Sequence, residues 1–66
     1  MKLWIARDYN NGLYLYFDKP KCDYDVGFFY SLNGEMLIPH QLFPEVTFEN
    51  SPQLVELKLI NKDKEE

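Results

Sequence analysis

The sequence predicts a single all-β domain of five or six short antiparallel strands, mainly a meander, curled toward a small barrel or roll. Three observations carry this. Residues of high strand propensity recur in short runs at 2–8, 13–18, 26–32, 35–38, 46–48 and 54–60, separated by turn chemistry. No window of eleven residues sustains a helical period, and four prolines and three glycines interrupt any attempt. Finally, 17% of the 66 residues are aromatic, which suits a fold too small to bury much surface: a chain of this length hides only about 60% of what its unfolded form exposes.

The first two runs flank Asn10-Asn11-Gly12. A three-residue loop with Gly12 left-handed pairs Tyr9 with Leu13, Arg7 with Leu15 and Ile5 with Phe17. It places Leu3, Ile5, Leu13, Leu15 and Phe17 on a core face and Trp4, Ala6, Tyr14 and Tyr16 on the other. One more loop residue would instead move Trp4 and Ala6 beside Leu15 and Phe17. Lys19-Pro20-Lys21 reads as a loop. Asn33-Gly34 is the strongest local signal, because a type I′ turn needs positive φ at both central residues. It pairs Leu32 with Glu35, Tyr30 with Leu37 and Phe29 with Ile38, a hairpin apolar on both faces that must lie between two layers or be covered from outside. The segment 39–44 holds at most one helical turn. The run at 54–60 alternates, with Val55, Leu57 and Leu59 directed one way, and Pro52 stands at its entrance, where no ladder donor is required. The domain thus spans 1–60, and the polar stretch 61–66 is expected to be a disordered tail.

Charge narrows the function. Residues 1–21 hold Lys2, Arg7, Lys19 and Lys21 against Asp8 and Asp18, whereas 22–57 carry Asp23, Asp25, Glu35, Glu45, Glu49 and Glu56 with no lysine or arginine. A phosphate-binding surface requires clustered cations, so direct nucleic-acid binding is not expected, and a basic partner fits better. The lone cysteine, Cys22, excludes an internal disulfide framework. The opening MKLWIARD has no apolar signal-peptide core, and no stretch approaches the roughly 20 residues that span a bilayer. A cytoplasmic protein in a reducing compartment, without membrane contact, is expected.

Catalytic signals are missing from the sequence. Cys22 and His40, with 17 residues between them, match no zinc spacing. Asp23-Tyr24-Asp25 opens like a calcium loop, but Gly34 stands where the bidentate glutamate belongs. Ser31 and Ser51 have His40 as their one candidate base and no nucleophile turn. The carboxylate pairs Glu45 with Glu49 and Asp23 with Asp25 lack a cleft to tune them, and the glycines at 12, 27 and 34 form no phosphate loop. The expectation is a non-enzyme with no metal or cofactor.

The aromatic residues point elsewhere. Trp4, Tyr14, Tyr16, Phe28, Phe29 and Tyr30 exceed what one face of a small sheet hides. A protein-interaction module follows, with Trp4, Tyr14, Tyr16, Phe29 and Met36 as an aromatic and apolar patch and Glu45 and Glu49 on its acidic rim. The alternative is a small-molecule or sugar-binding β domain that uses exposed rings. Unpaired sheet edges and the two-sided hairpin also favour a homodimer.

Trp4-Ile5-Ala6-Arg7-Asp8, then Leu13-Tyr14-Leu15-Tyr16-Phe17 with Lys19-Pro20, then Leu42-Phe43-Pro44-Glu45-Val46-Thr47-Phe48-Glu49 resemble a group of very short uncharacterised proteins encoded by gut bacteria, their phages and other mobile elements. The resemblance extends from Lys2 to about Leu59. It implies a stand-alone cytoplasmic accessory protein that acts by binding another protein, and it assigns no site residue.

Overall fold

A computed structural model describes residues 1–60, so the expected tail at 61–66 lies outside the described residues. Six short antiparallel strands and no helix are found there: β1 Lys2–Arg7, β2 Leu13–Tyr16, β3 Lys21–Asp23, β4 Phe28–Tyr30, β5 Glu35–Ile38 and β6 Gln53–Glu56. The all-β class is therefore as predicted. Four strands form one sheet in the order β5-β2-β1-β6, and β3 and β4 form a second. Two pairings, β1 with β2 and β3 with β4, join consecutive strands, while β5 and β6 reach their partners across the chain. No helix among the described residues is long and apolar enough to cross a membrane.

The β1-β2 hairpin keeps the predicted division of faces but not the predicted register. Arg7 pairs with Leu13, Ile5 with Leu15 and Trp4 with Tyr16, two residues removed from the expected alignment. An even shift leaves every side chain on its face. The longer loop has a cause: its left-handed residue is Asn11, at φ 80°, and not Gly12. In that position the Asn11 carbonyl and side-chain oxygen both accept from the Arg7 guanidinium, each at 3.1 Å. The Asp8 N–H donates to the Gly12 carbonyl at 2.8 Å and closes the loop.

The Asn33-Gly34 hairpin does not form. Only Gly34 is left-handed, at φ 86°, and its N–H donates to Ser31 O in an ordinary turn. That turn sends β5 away from β4 and onto β2, where Met36 lies opposite Leu15 and Ile38 opposite Leu13. The two-sided apolar character of this stretch has the same origin, because its two arms serve different sheets. β4 pairs instead with β3, a strand at the end of the segment expected to be loop, with Cys22 opposite Phe29. The connection 24–27 is closed by Asp23, whose carbonyl accepts from Val26 and Gly27 and whose carboxylate accepts from Asp25 N. The expected strand at 46–48 is irregular, since Val46 O is taken by Arg7 Nε at 2.5 Å while Thr47 and Asn50 bond each other's backbone N–H groups. In the last run only Val55 packs against the core; β6 ends at Glu56, and Leu57 and Leu59 are exposed.

Both faces of the β1-β2 hairpin are covered. On one, Ile5, Leu13 and Val46 are buried, with Leu15, Ile38 and Val55 around them. On the other, Ala6, Tyr16 and Phe29 are buried beside Trp4, Tyr14, Cys22 and Phe48. Through Val46 the 39–50 segment covers part of the first face, and the β3-β4 hairpin, joined by Phe48, covers the second.

Arg7 fixes the first cover in place. Its side chain is buried, and besides Val46 O and the two Asn11 oxygens it donates to His40 O at 2.9 Å and to Leu42 O and Phe43 O at 3.0 Å each. A buried cation needs close oxygens on every donor, and here backbone carbonyls supply almost all of them. The second cover is tied by Asp8, whose Oδ1 accepts from Phe29 N at 2.8 Å, and by Tyr9 N donating to Gly27 O at 2.8 Å.

Two substitutions test these ties. Arg7→Lys retains the charge but removes the planar fork and orphans several carbonyls, and should cost about 2–4 kcal/mol; urea unfolding checks this, and an unchanged midpoint contradicts the assignment. Gly27 has φ 79°, and a Cβ built there lies 2.6 Å from the Tyr9 Cβ. Gly27→Ala should also cost about 2–4 kcal/mol, from backbone strain and overpacking together, measured in the same titration.

Candidate interaction surface

The cover held by Arg7 protects only part of its face. Val46 packs over Ile5 and Leu13, and the remaining part of the sheet stays open. Register places Leu3, Leu15 and Met36 on that open part, with Phe17 just beyond β2. Met1 and Leu57 complete it, joined by a reciprocal pair of backbone hydrogen bonds of 2.7 and 3.0 Å. These six residues, together with Tyr16, line a shallow hollow of about 100 Å³. Leu3 is buried at its floor, whereas Met1, Phe17, Met36 and Leu57 are each more than half exposed. Such a shelf can bury apolar side chains of a partner and offers nothing for acid-base chemistry.

The seven residues singled out in the sequence do not form one surface. Met36 stands on the shelf. Trp4 and Tyr14 are half-buried on the opposite face, with Lys19 Nζ 5.4 Å from the centre of the Trp4 ring. Tyr16 and Phe29 must be removed from the contact set: they are 1% and 7% exposed. Phe29 belongs to β4 and packs from that hairpin onto Tyr16, whose Oη donates to Phe29 O at 3.2 Å. Glu45 and Glu49 are exposed on the covering segment. The shelf residues missed as contacts were Met1, Leu15, Phe17 and Leu57. The parity of Leu13, Leu15 and Phe17 placed Phe17 on this face, but nothing in the sequence shows where the cover stops.

Two larger clefts flank the covering segment. One, of about 540 Å³, runs from the 10–12 loop to Leu37, Pro39 and His40. The other, of about 500 Å³, is lined by Asp8, Tyr9, His40, Thr47 and Glu49, with Arg7 at its floor. Every Arg7 nitrogen is already engaged by an oxygen of the chain, so the guanidinium has no donor free for a ligand. The hydroxyls are similarly occupied: Ser51 Oγ accepts from Arg7 N and donates to Thr47 O, and Ser31 Oγ accepts from Asn33 N.

Burial governs the titrating groups. It raises Asp8 above the ordinary carboxylate value; the Phe29 N–H opposes this and the Glu35 charge adds to it. Burial, followed by the charges of Asp8 and Glu35, raises the Tyr16 phenol strongly. The Cys22 thiol is likewise raised by burial and by Asp23 and Asp8, the opposite of what activates a cysteine nucleophile. Among the described residues no three His, Cys, Asp or Glu side chains are grouped so as to hold a metal ion.

Comparison of the chain with protein-family models, curated proteins and solved structures gives no match.

The shifts set a pH dependence. Asp8 binds its proton more tightly in the folded chain than at the ordinary 3.8, so lowering the pH through the raised value adds stability, and raising it removes that contribution. Asp8→Asn keeps an oxygen for Phe29 N and abolishes the effect. The stability difference, wild type minus variant, should therefore grow as pH is lowered from about 7 toward 4, by chemical denaturation at each pH; a difference that shrinks would contradict it. Tyr16 acts at the other end: unfolded phenols ionise near 10.0 while Tyr16 stays protonated, so stability falls as pH rises beyond that value. Tyr16→Phe should flatten this loss, measured the same way.

Proposed function

We propose that this chain is a non-enzymatic protein-interaction module that docks a partner on the shelf formed by Leu15, Phe17, Met36, Leu57 and Met1. The observation that carries the reading is the open half of an otherwise covered sheet face, apolar throughout and lined by four side chains more than half exposed. Other large apolar side chains are exposed too, Tyr24 and Leu32 among them, but here four line one hollow, and a contiguous patch is the usual mark of a protein contact.

Charge supports a basic flank on the partner. Of the four cations among residues 1–21, Arg7 is buried and Lys19 stands over Trp4, while 22–57 contribute six acids and no lysine or arginine. Glu45 and Glu49 remain available to meet such a flank. The same balance argues against a nucleic-acid surface. Enclosure is what a small-molecule or sugar site needs, and the two larger clefts are open to solvent. An accessory protein in a reducing cytoplasm, as the resemblance implies, is the setting in which a single unpaired thiol and a partner-dependent surface fit together.

The test compares wild type with the double variant Phe17→Asp, Met36→Asp as baits in lysate of the source cell, with bound proteins identified by mass. Wild type should retain a protein that the variant loses, at least tenfold by intensity, while both keep the same far-UV spectrum. Retention of the same proteins by both baits would overturn the assignment of the shelf.

A further inference from the structure

The sequence contains two methionines, and both line the shelf. Met36 is 55% exposed and stands opposite Leu15 of β2; Met1 is 67% exposed beside Leu57, to which its backbone is bonded. A thioether is the apolar side chain that mild two-electron oxidants convert into a polar one, and it reacts without first losing a proton. The remaining sulfur is elsewhere. Cys22 packs, half-buried, against the cluster of Ala6, Tyr16 and Phe29 on the opposite face, where burial and the charges of Asp23 and Asp8 keep its thiol protonated.

We infer that Met36 and Met1 are oxidative modification sites, and that hydrogen peroxide closes the shelf by converting them to sulfoxides. This rests on the reading of the shelf as a docking surface. In the step, the sulfur lone pair takes one oxygen of the peroxide and the O–O bond breaks. The departing hydroxide leaves as water with the proton of the transferred oxygen, so the thioether is oxidised by two electrons and the peroxide is reduced. A sulfoxide oxygen is a strong acceptor, and covering it with a partner demands a donor. The hollow has no side-chain donor to spare: Leu3, Leu15, Phe17 and Leu57 carry none, and Tyr16 Oη already donates to Phe29 O. An oxidised shelf therefore holds water where the reduced one holds apolar contacts.

The modification acts on the surface and spares the fold. The buried clusters, Ile5, Leu13 and Val46 on one face and Ala6, Tyr16 and Phe29 on the other, contain no methionine. All of the thioether in the chain is thus placed at the contact and none in the core, so the oxygen changes what the shelf can bind and not whether the sheet forms. Sulfoxides are also reversible, since dedicated reductases return them to the thioether.

The test treats the full chain, in a Cys22→Ser background that removes the thiol, with hydrogen peroxide. Peptide masses should place one added oxygen on Met36 and one on Met1. The apolar dye bis-ANS reads the shelf directly, its share of the fluorescence being the part that Phe17→Asp, Met36→Asp removes. Oxidation should lower that share about tenfold with the far-UV spectrum unchanged, and methionine sulfoxide reductases A and B with dithiothreitol should restore it. Met36→Leu, which keeps volume and apolar character, should hold most of the share through the same treatment, whereas Met36→Gln should lose it without any oxidant. An unmodified Met36, a dye signal that survives oxidation, or a Met36→Leu variant that loses the signal as the parent does overturns the proposal. The dye needs no partner, so failure of this inference is distinguishable from failure of the docking reading, which the lysate comparison tests.

Discussion

A buried guanidinium with no carboxylate paired to it among the described residues has to collect its oxygens from dipoles, and in this chain they come chiefly from the turns of the 39–50 segment. Arg7 receives Val46, His40, Leu42 and Phe43 carbonyls from one side and Asn11 from the other. No regular structure spans 39–50, so no ladder of backbone hydrogen bonds orders it. The desolvation of the charge is offset by bonds that also order the segment, and Val46 is thereby pressed onto Ile5 and Leu13. One side chain thus determines the hairpin loop, the course of the cover and the line at which the cover ends.

Asp8, the next residue, does the corresponding task on the opposite face with a single backbone N–H of β4. Successive residues of a strand point to opposite faces, so Arg7 and Asp8 can each tie down one layer from the same end of β1. The aromatic rings then fill what the ties enclose. Phe48 meets Tyr9, Tyr24 and Phe29 edge-on, at centroid distances of 5.7, 6.3 and 5.8 Å, which draws the end of the covering segment against the second sheet. Burial of Asp8 carries a cost in the charged form, and that is why its proton is held more tightly than usual.

How far the sequence can be read follows from the same two residues. Strand propensity and parity are local, and they sorted Leu3, Ile5, Leu13 and Leu15 from Trp4, Ala6, Tyr14 and Tyr16 without any knowledge of partners. Register and strand order are not local. Arg7 in Trp4-Ile5-Ala6-Arg7-Asp8 reads as an ordinary charged strand residue until the carbonyls 33 to 39 positions later are found around it. Asn33-Gly34 has the composition of a tight hairpin, yet Leu13 and Leu15 offered β5 a better apolar partner than β4 did. The aromatic residues were counted correctly as an excess over one face. A second sheet takes Tyr16 and Phe29, and the exposed surface is built mainly from aliphatic and Met side chains at the end of the hairpin.

The open shelf follows from a shortage. A chain of 66 residues can build two covers for a four-stranded sheet, but each cover is short: one is a segment anchored at a single arginine, the other a hairpin with strands of three residues. Neither extends along β2 to Phe17. Enlarging the 39–50 segment would close the shelf only if Arg7 could still collect its carbonyls, and those positions fix where the segment turns. The uncovered apolar surface is therefore a consequence of the anchor that holds the core together. An interaction surface in that place needs no element beyond the ones that make the domain fold.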